Sequence, residues 1–137
     1  MQDFYAERIR ALADVEIIET REARGLPENQ AGKIKDLEAV GLEKHLEDAY
    51  IICLLDRGTE MTSQELARFI GTVERNSAKP LAFVVGGFLG LADRVVGRAD
   101  LRVSLSRMTF SHELSRIMLL EQIYRALTIH RGRHYAK

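Results

Sequence analysis

The chain has 137 residues, of which 46% are hydrophobic and 29% are charged. This composition excludes a disordered chain and a membrane protein, because no apolar segment reaches the roughly 18 residues that a bilayer span needs. The length suits one core, so residues 1–137 are predicted to form a single domain. The N-terminus lacks a basic region followed by an apolar stretch, so a cytoplasmic protein is expected.

The predicted elements of the N-terminal part are two helices and two strands. Asp3 is expected to cap the first helix, and Val15–Ile18 is expected to form a short strand after it. A second helix, loosened near Gly41, follows a loop, and the next strand runs from Tyr50 to Leu55. The apolar residues with helical spacing are Phe4, Ile9 and Leu12 in the first helix and Ile34, Leu37, Leu42 and Leu46 in the second.

A third helix and a buried strand occupy the middle of the chain. Thr62, with Glu65 three residues later, is a capping box that predicts a helix through Val73. The segment Leu81–Val85 is continuously apolar, which is typical of a strand buried on both faces of a parallel sheet. Helices and strands therefore alternate along this region.

The last predicted elements are a helical turn, a strand and a long helix. Arg94–Gly97 allows only a short turn, Leu101–Leu105 is the last strand, and the long helix begins at Ser111 or His112. Because helices separate the strands, the sheet is expected to be parallel with right-handed crossovers. The predicted fold class is α/β, with a mostly parallel sheet flanked by helices.

The final helix is unusually apolar. Its apolar residues cover roughly half of the helix circumference, more than the stripe of an ordinary surface helix. They are Ile117, Leu119, Leu120, Ile123, Tyr124, Ala126 and Leu127. Such a helix needs two neighbours, and a second subunit is the economical candidate beside the sheet, so a homodimer is predicted. Burial under its own chain is the alternative.

Cysteine and histidine usage gives no sign of a disulfide or a metal site. Cys53 is the only cysteine, and its apolar surroundings in Ile51–Leu55 favour a buried thiol over a reactive one. The four histidines are scattered and lack cysteine partners, so they are not expected to form a metal-ligand set.

Charge is unevenly distributed although the net charge is zero. Residues 1–93 contain 17 Asp or Glu and 11 Lys or Arg, whereas residues 94–137 contain three Asp or Glu and nine Lys or Arg. Eight of those nine cations are Arg, whose guanidinium grips phosphate in two places. A basic C-terminal part suggests a polyanionic partner, and a solvated basic face explains it equally well.

Two glycines, Gly86 and Gly87, directly follow the buried strand. A glycine pair at that place lets a ligand approach the backbone without a Cβ in the way, and open α/β sheets bind ligands there. The run GGFLG lacks both the GxGxxG fingerprint and the Lys-Ser/Thr of a phosphate loop. Alone, it is better explained as a tight turn.

The C-terminal motifs together resemble one family. The run LAFVVGGFLG (81–90) is followed by LSRMTFSH (105–112) and by a helix ending EQIYRA (121–126). In order and spacing the chain resembles the SPOUT methyltransferases, specifically the small bacterial enzymes that methylate N3 of a pseudouridine in 23S ribosomal RNA of the large subunit. The resemblance covers essentially the whole chain. It implies S-adenosylmethionine as cofactor, ribosomal RNA or the assembled ribosome as substrate, and a homodimer built through a trefoil knot in residues 81–137.

The resemblance also implies the site residues. The cofactor pocket would be formed by Leu55, Gly86 and the backbone of Leu105, Ser106, Arg107, Met108, Thr109 and Phe110. His112 and Arg116 match the family's pattern as well. Methylation at N3 requires a group that takes a proton or stabilises the anion, and on that chemical ground Arg116, His134 and Tyr135 are the predicted catalytic residues. No membrane and no metal is implied.

The chain departs from the family at both ends. Relatives end in Tyr-His followed by Lys or Arg, whereas this chain ends His134-Tyr135-Ala136-Lys137, which leaves His134 as the nearest imidazole. Relatives also begin with a further strand, so this chain is expected to lack on the order of 15 to 20 residues. Two alternative functions stay open: a non-catalytic RNA- or ligand-binding module of the same fold, and a flavodoxin-like nucleotide-binding protein without a phosphate motif.

Overall fold

The computed structural model describes residues 1–19, 30–86 and 90–131. Its helices are α1 (Gln2–Arg10), α2 (Ala31–Glu43), α3 (Ser63–Asn76), α4 (Asp93–Val96) and α5 (His112–His130). Its strands are β1 (Tyr50–Glu60), β2 (Leu81–Val84) and β3 (Leu101–Ser104), and they form one parallel sheet in the order β2-β1-β3. The predicted α/β class with a parallel sheet is confirmed.

The sheet separates two apolar cores, because successive side chains of a strand point to opposite faces. Ile51, Cys53 and Val84 pack with α2 and α4 on one face. Leu81 and Phe83 face the other core, which holds residues of α1, α3 and α5. Cys53 is fully buried, and burial raises the pKa of its thiol, so it remains protonated and serves as core.

The α3 helix begins as its sequence predicts. The Thr62 hydroxyl accepts a hydrogen bond from the Glu65 backbone N–H at 3.1 Å, and the Glu65 carboxylate accepts one from the Thr62 N–H at 2.9 Å. Hydrogen bonding of the Glu65 carboxylate to the backbone and side chain of Thr62 lowers the pKa of Glu65, since it favours the charged form. The capping box is confirmed.

β1 is longer than predicted and carries an irregularity. The prediction ended this strand at Leu55, but it continues to Glu60, and both Leu54 and Thr59 pair with Val103 of β3. A Cβ on Gly58 would lie 2.9 Å from the main-chain carbonyl of Arg102, so a residue without a side chain lets the two backbones come close. The extension is polar and exposed, and its pairing with β3 is a tertiary effect.

Two predictions for the N-terminal part are wrong. Helix α1 starts at Gln2 with Met1 as N-cap, and Asp3 lies inside the first turn, where its charge suits the helix dipole. Val15–Ile18 is not a strand. It pairs with no strand in the described part of the chain, and Val15 and Ile17 instead pack as half-buried side chains against the α1–α3–α5 core.

The long helix α5 begins at His112 with Ser111 as its N-cap, as predicted. Much of its apolar surface is covered by its own chain, because it packs against α1 and α3. Ile123 lies against that core and borders an apolar groove of about 570 Å³ beside β2. Leu114 remains 47% exposed. None of the described helices is long and apolar enough to cross a membrane.

Candidate functional site

A cavity of about 710 Å³ lies beyond the ends of β2 and β3, beside the middle of β1. Its walls come from Leu54–Asp56 of β1, the turn after β2, the loop after β3 and the first turn of α5. The lining residues are Leu54, Leu55, Asp56, Val85, Gly86, Gly90, Leu91, Leu105, Ser106, Met108, Thr109, Phe110, Ser111, His112, Glu113 and Ser115. This is the edge at which open α/β sheets bind ligands.

Glycine is required in the turn after β2 for two different reasons. A Cβ on Gly86 would lie 2.7 Å from the carbonyl carbon of Gly90 and 2.9 Å from the amide nitrogen of Leu91. Gly90 has φ 84°, a conformation that other residues rarely adopt. The backbone of Gly86 therefore lies close to that of Gly90 and Leu91, and these three residues form part of the cavity wall.

Ser104 joins two walls of the cavity. Its hydroxyl is buried and lies 3.1 Å from the carbonyl oxygen of Asp56 and 2.7 Å from that of Ser106. The single hydroxyl proton can be donated to either carbonyl, so the Ser104 side chain links Asp56 of β1 to the loop after β3. A hydrogen bond from the Met108 N–H to the Ser106 hydroxyl, at 3.0 Å, folds the loop further.

Helix α5 brings its N-terminal turn to the cavity. The Ser111 hydroxyl accepts a hydrogen bond from the Leu114 N–H at 3.2 Å, which sets the helix start. His112, Glu113 and Ser115 then line the cavity. The first turn of a helix presents N–H groups without intrahelical partners, so this wall offers hydrogen-bond donors as well as side chains.

Most of the predicted cofactor residues come together in this cavity: Leu55, Gly86, Leu105, Ser106, Met108, Thr109 and Phe110. Arg107 belongs to the same loop, but its side chain is 92% exposed and its Nε lies 4.0 Å from Glu60 Oε1. Arg107 therefore contributes to the loop and does not line the cavity.

The predicted catalytic residues are not brought together by the described structure. Arg116 follows Ser115 on α5 and does not line the cavity; its Nη1 lies 3.3 Å from Glu19 Oε1. Its Nε is buried and has no hydrogen-bond partner among the described residues. His134 and Tyr135 lie outside the described residues.

Several lining residues were missed by sequence reasoning. Asp56 directly follows Leu55, so the rule that ligands sit beyond the ends of parallel strands could have found it. Glu113 could have been found from the predicted start of α5, since helix N-termini often border ligand sites. Leu91 carried no comparable signal, because its place depends on how the chain folds back on Gly86. His112 was not missed, since it matches the family pattern.

The cavity fits S-adenosylmethionine by size and by the nature of its walls. Its volume lies within the roughly 300–1,000 Å³ of small-molecule sites. Leu55, Leu91 and Leu105 offer apolar surface for an adenine ring, and Gly86 allows a ligand to reach the main chain without obstruction. Within residues 1–19, 30–86 and 90–131, no three His, Cys, Asp or Glu side chains are grouped to hold a metal ion.

Comparison with known proteins identifies the family. The family described as "Predicted SPOUT methyltransferase" matches residues 1–136. The Clostridioides difficile protein named ribosomal RNA large subunit methyltransferase H is 42% identical to this chain, over 98% of this chain and 87% of its own length. The Geobacter metallireducens protein of the same name is 41% identical, over 97% of this chain and 85% of its own length. The Bacillus pumilus protein of that name is 42% identical, over 97% of this chain and 86% of its own length. The chain therefore belongs to the SPOUT methyltransferases, which use S-adenosylmethionine.

Proposed function

We propose that this protein methylates N3 of a pseudouridine in 23S ribosomal RNA, working as a cytoplasmic homodimer. The observation that carries the proposal is the 710 Å³ cavity at the strand ends of a SPOUT chain, bordered by Gly86 and the loop 105–110. The ribosomal RNA substrate is supported by the names of the relatives. One of them, 42% identical over 98% of this chain, is named as a ribosomal RNA large subunit methyltransferase. The target atom N3 rests on the family resemblance.

The cofactor part of the site is assigned to the C-terminal part, residues 81–137, together with Leu55. When bound, S-adenosylmethionine supplies an electrophilic methyl group on a sulfonium. The residues of the chain then have to hold the target base in line with that methyl group and accept its N3 proton. We assign the proton transfer to His134, base positioning to Tyr135, and stabilisation of the N3 anion to Arg116.

Contact with RNA is assigned to the arginines of the basic C-terminal part. Arg98, Arg102 and Arg107 are exposed, and Arg107 belongs to the loop that forms one wall of the cavity. Arginine binds phosphate oxygens in two places and positions a nucleic acid without reading its sequence. These side chains are suited to holding the RNA backbone while the target base enters the cavity.

A single-turnover methylation assay tests the proposed reaction. Purified protein and S-adenosylmethionine are mixed with assembled ribosomes, large subunits or naked 23S RNA, each carrying either pseudouridine or uridine at the target position. We expect methyl transfer only to substrates with pseudouridine, read as one methyl group at N3 by mass spectrometry. Cofactor binding without methylation of any substrate would instead indicate a non-catalytic binding module. Ala136, which stands where relatives have a tail histidine, favours that alternative. Absence of cofactor binding would refute both functions.

Homodimer formation is the second part of the proposal. On α5, Leu119 and Leu120 are buried in the chain, whereas Leu114, between the lining residues Glu113 and Ser115, is 47% exposed. An apolar stripe wider than that of an ordinary surface helix needs more than one neighbour, and a two-fold partner would cover the exposed part. Met108, which lines the cavity from the loop 105–110, is a further apolar side chain and is 72% exposed.

The dimer is tested by sedimentation of the wild type and two matched variants at micromolar concentration. Leu114→Glu places a charge on the surface assigned to the dimer and should yield monomers. Val40→Glu changes a similarly exposed apolar residue, 58% exposed on α2, and should leave the dimer intact. Ile123→Asp is unsuitable, because Ile123 packs into its own core. A monomeric wild type would contradict the proposal.

A further inference from the structure

The cavity is lined by two carboxylates and one imidazole, that of His112, within the described part of the chain. Among the described residues, Asp56 and Glu113 are the lining residues with full charges, and no Lys or Arg lines it. Two arginines that are close to the cavity in sequence have side chains engaged elsewhere: Arg107 approaches Glu60, and Arg116 contacts Glu19. The cavity wall therefore favours a cationic ligand over a neutral one.

The two carboxylates differ in their surroundings. Glu113 lies in the first turn of α5, where the positive end of the helix dipole offsets part of its charge. Asp56 lies just past the part of β1 that pairs with β2, and its main-chain carbonyl is held by the buried Ser104 hydroxyl. Within the described residues neither carboxylate is in an ion pair. The main chain at Asp56 is therefore anchored beside the cavity, and its carboxylate has no ion-pair partner among the described residues, so it is available to a ligand.

Methyl transfer changes the charge of the cofactor by one unit. S-Adenosylmethionine has a positive sulfonium; when the methyl group leaves, the electron pair of the broken carbon–sulfur bond stays on sulfur and the product thioether is neutral. We propose that Asp56 makes the cavity selective for this charge, so that it holds S-adenosylmethionine more tightly than S-adenosylhomocysteine and favours release of the product. This inference rests on the proposed cofactor site.

Calorimetry with three ligands tests the inference. The ligands are S-adenosylmethionine, neutral S-adenosylhomocysteine, and sinefungin, in which a protonated amine replaces the sulfonium. We expect the wild type to bind both cationic ligands about tenfold more tightly than the neutral one, and this preference to shrink as salt is added. In Asp56→Asn the affinity for the cationic ligands should fall about tenfold, while that for S-adenosylhomocysteine changes less than twofold.

Two further variants keep the result interpretable. Glu47→Gln removes an exposed carboxylate that does not line the cavity, and all three affinities should stay unchanged. Glu113→Gln should reduce the preference for cationic ligands less than Asp56→Asn does, because the helix dipole already offsets its charge. If Asp56→Asn does not fold, the three wild-type affinities and those of Glu113→Gln still decide whether the cavity prefers cationic ligands.

Each remaining outcome has a definite meaning. Equal losses for cationic and neutral ligands in Asp56→Asn would show a structural role and overturn the charge selectivity. A wild type that binds the three ligands equally would overturn it as well, while leaving the cofactor site in place. A wild type that binds none of them would overturn the cofactor site and the selectivity with it.

Discussion

The Gly86→Val protein should fold and bind S-adenosylmethionine at least about 100-fold more weakly than the wild type. The reason is steric, because the first side-chain carbon would lie 2.7 Å from the carbonyl carbon of Gly90 and 2.9 Å from the Leu91 nitrogen. Both are main-chain atoms, so no rotamer change relieves the contact, and the turn that walls the cavity has to move. Gly86 does not have a positive φ, so the effect does not depend on a forbidden backbone conformation.

A second glycine provides the matched control. A Cβ on Gly32 in α2 meets nothing within 4 Å, so Gly32→Val introduces the same side chain in open space. Its effect should be the modest cost of a β-branched residue in a helix, with cofactor affinity unchanged. Calorimetry gives the affinities and thermal unfolding the stability. If a folded Gly86→Val protein bound S-adenosylmethionine with wild-type affinity, Gly86 would not be part of the cofactor site. Gly86→Ala serves as the smaller probe if the valine variant does not fold.

The elements that sequence predicted well are those with a strong local signal. Thr62 and Glu65 satisfy each other's hydrogen bonds within one turn, so their effect does not depend on the rest of the fold. The apolar run Leu81–Val84 formed β2 as predicted, but at the edge of the sheet, where only Val84 is buried and the other three residues are half-buried. The predictions for Asp3 and Val15–Ile18 had weaker local signals. Helix α1 begins after Met1 without a side-chain cap bond, so Asp3 was not needed as its cap, and a strand needs a hydrogen-bonded neighbour.

The candidate site was predicted in part. Three of its walls contain predicted residues, namely Leu55, Gly86 and the loop Leu105–Phe110, whereas the first turn of α5 was not assigned to the cofactor pocket. The way in which these walls meet depends on long-range packing, such as the Ser104 hydroxyl reaching the Asp56 carbonyl 48 residues away. Periodicity and local motifs contain no information on such pairs. Asp56, which carries the proposed charge selectivity, was missed although it directly follows the predicted residue Leu55.

A His134→Ala protein is expected to methylate its substrate at least about 100-fold more slowly, while it binds S-adenosylmethionine with unchanged affinity. The N3 proton of pseudouridine is weakly acidic, and a positioned base contributes about 10²–10⁴-fold to such a step. An unperturbed histidine has a pKa near 6.5, which suits proton transfer at neutral pH. The wild-type rate should therefore rise with pH through the titration of this imidazole, and the variant should lose that dependence.

The tail sequence itself provides a rescue experiment. In an extended chain, residues two apart point to the same side, so His134 and Ala136 would present their side chains to the same place. Ala136→His in the His134→Ala background should restore much of the lost rate, since it returns an imidazole there. His45→Ala, which changes an exposed histidine just after α2, serves as the control and should keep the wild-type rate. If the His134→Ala protein methylated its substrate at the wild-type rate, the tail imidazole would be excluded as the base. Catalysis would then rest on Arg116 and Tyr135 positioning the target base, with its N3 proton passing directly to water.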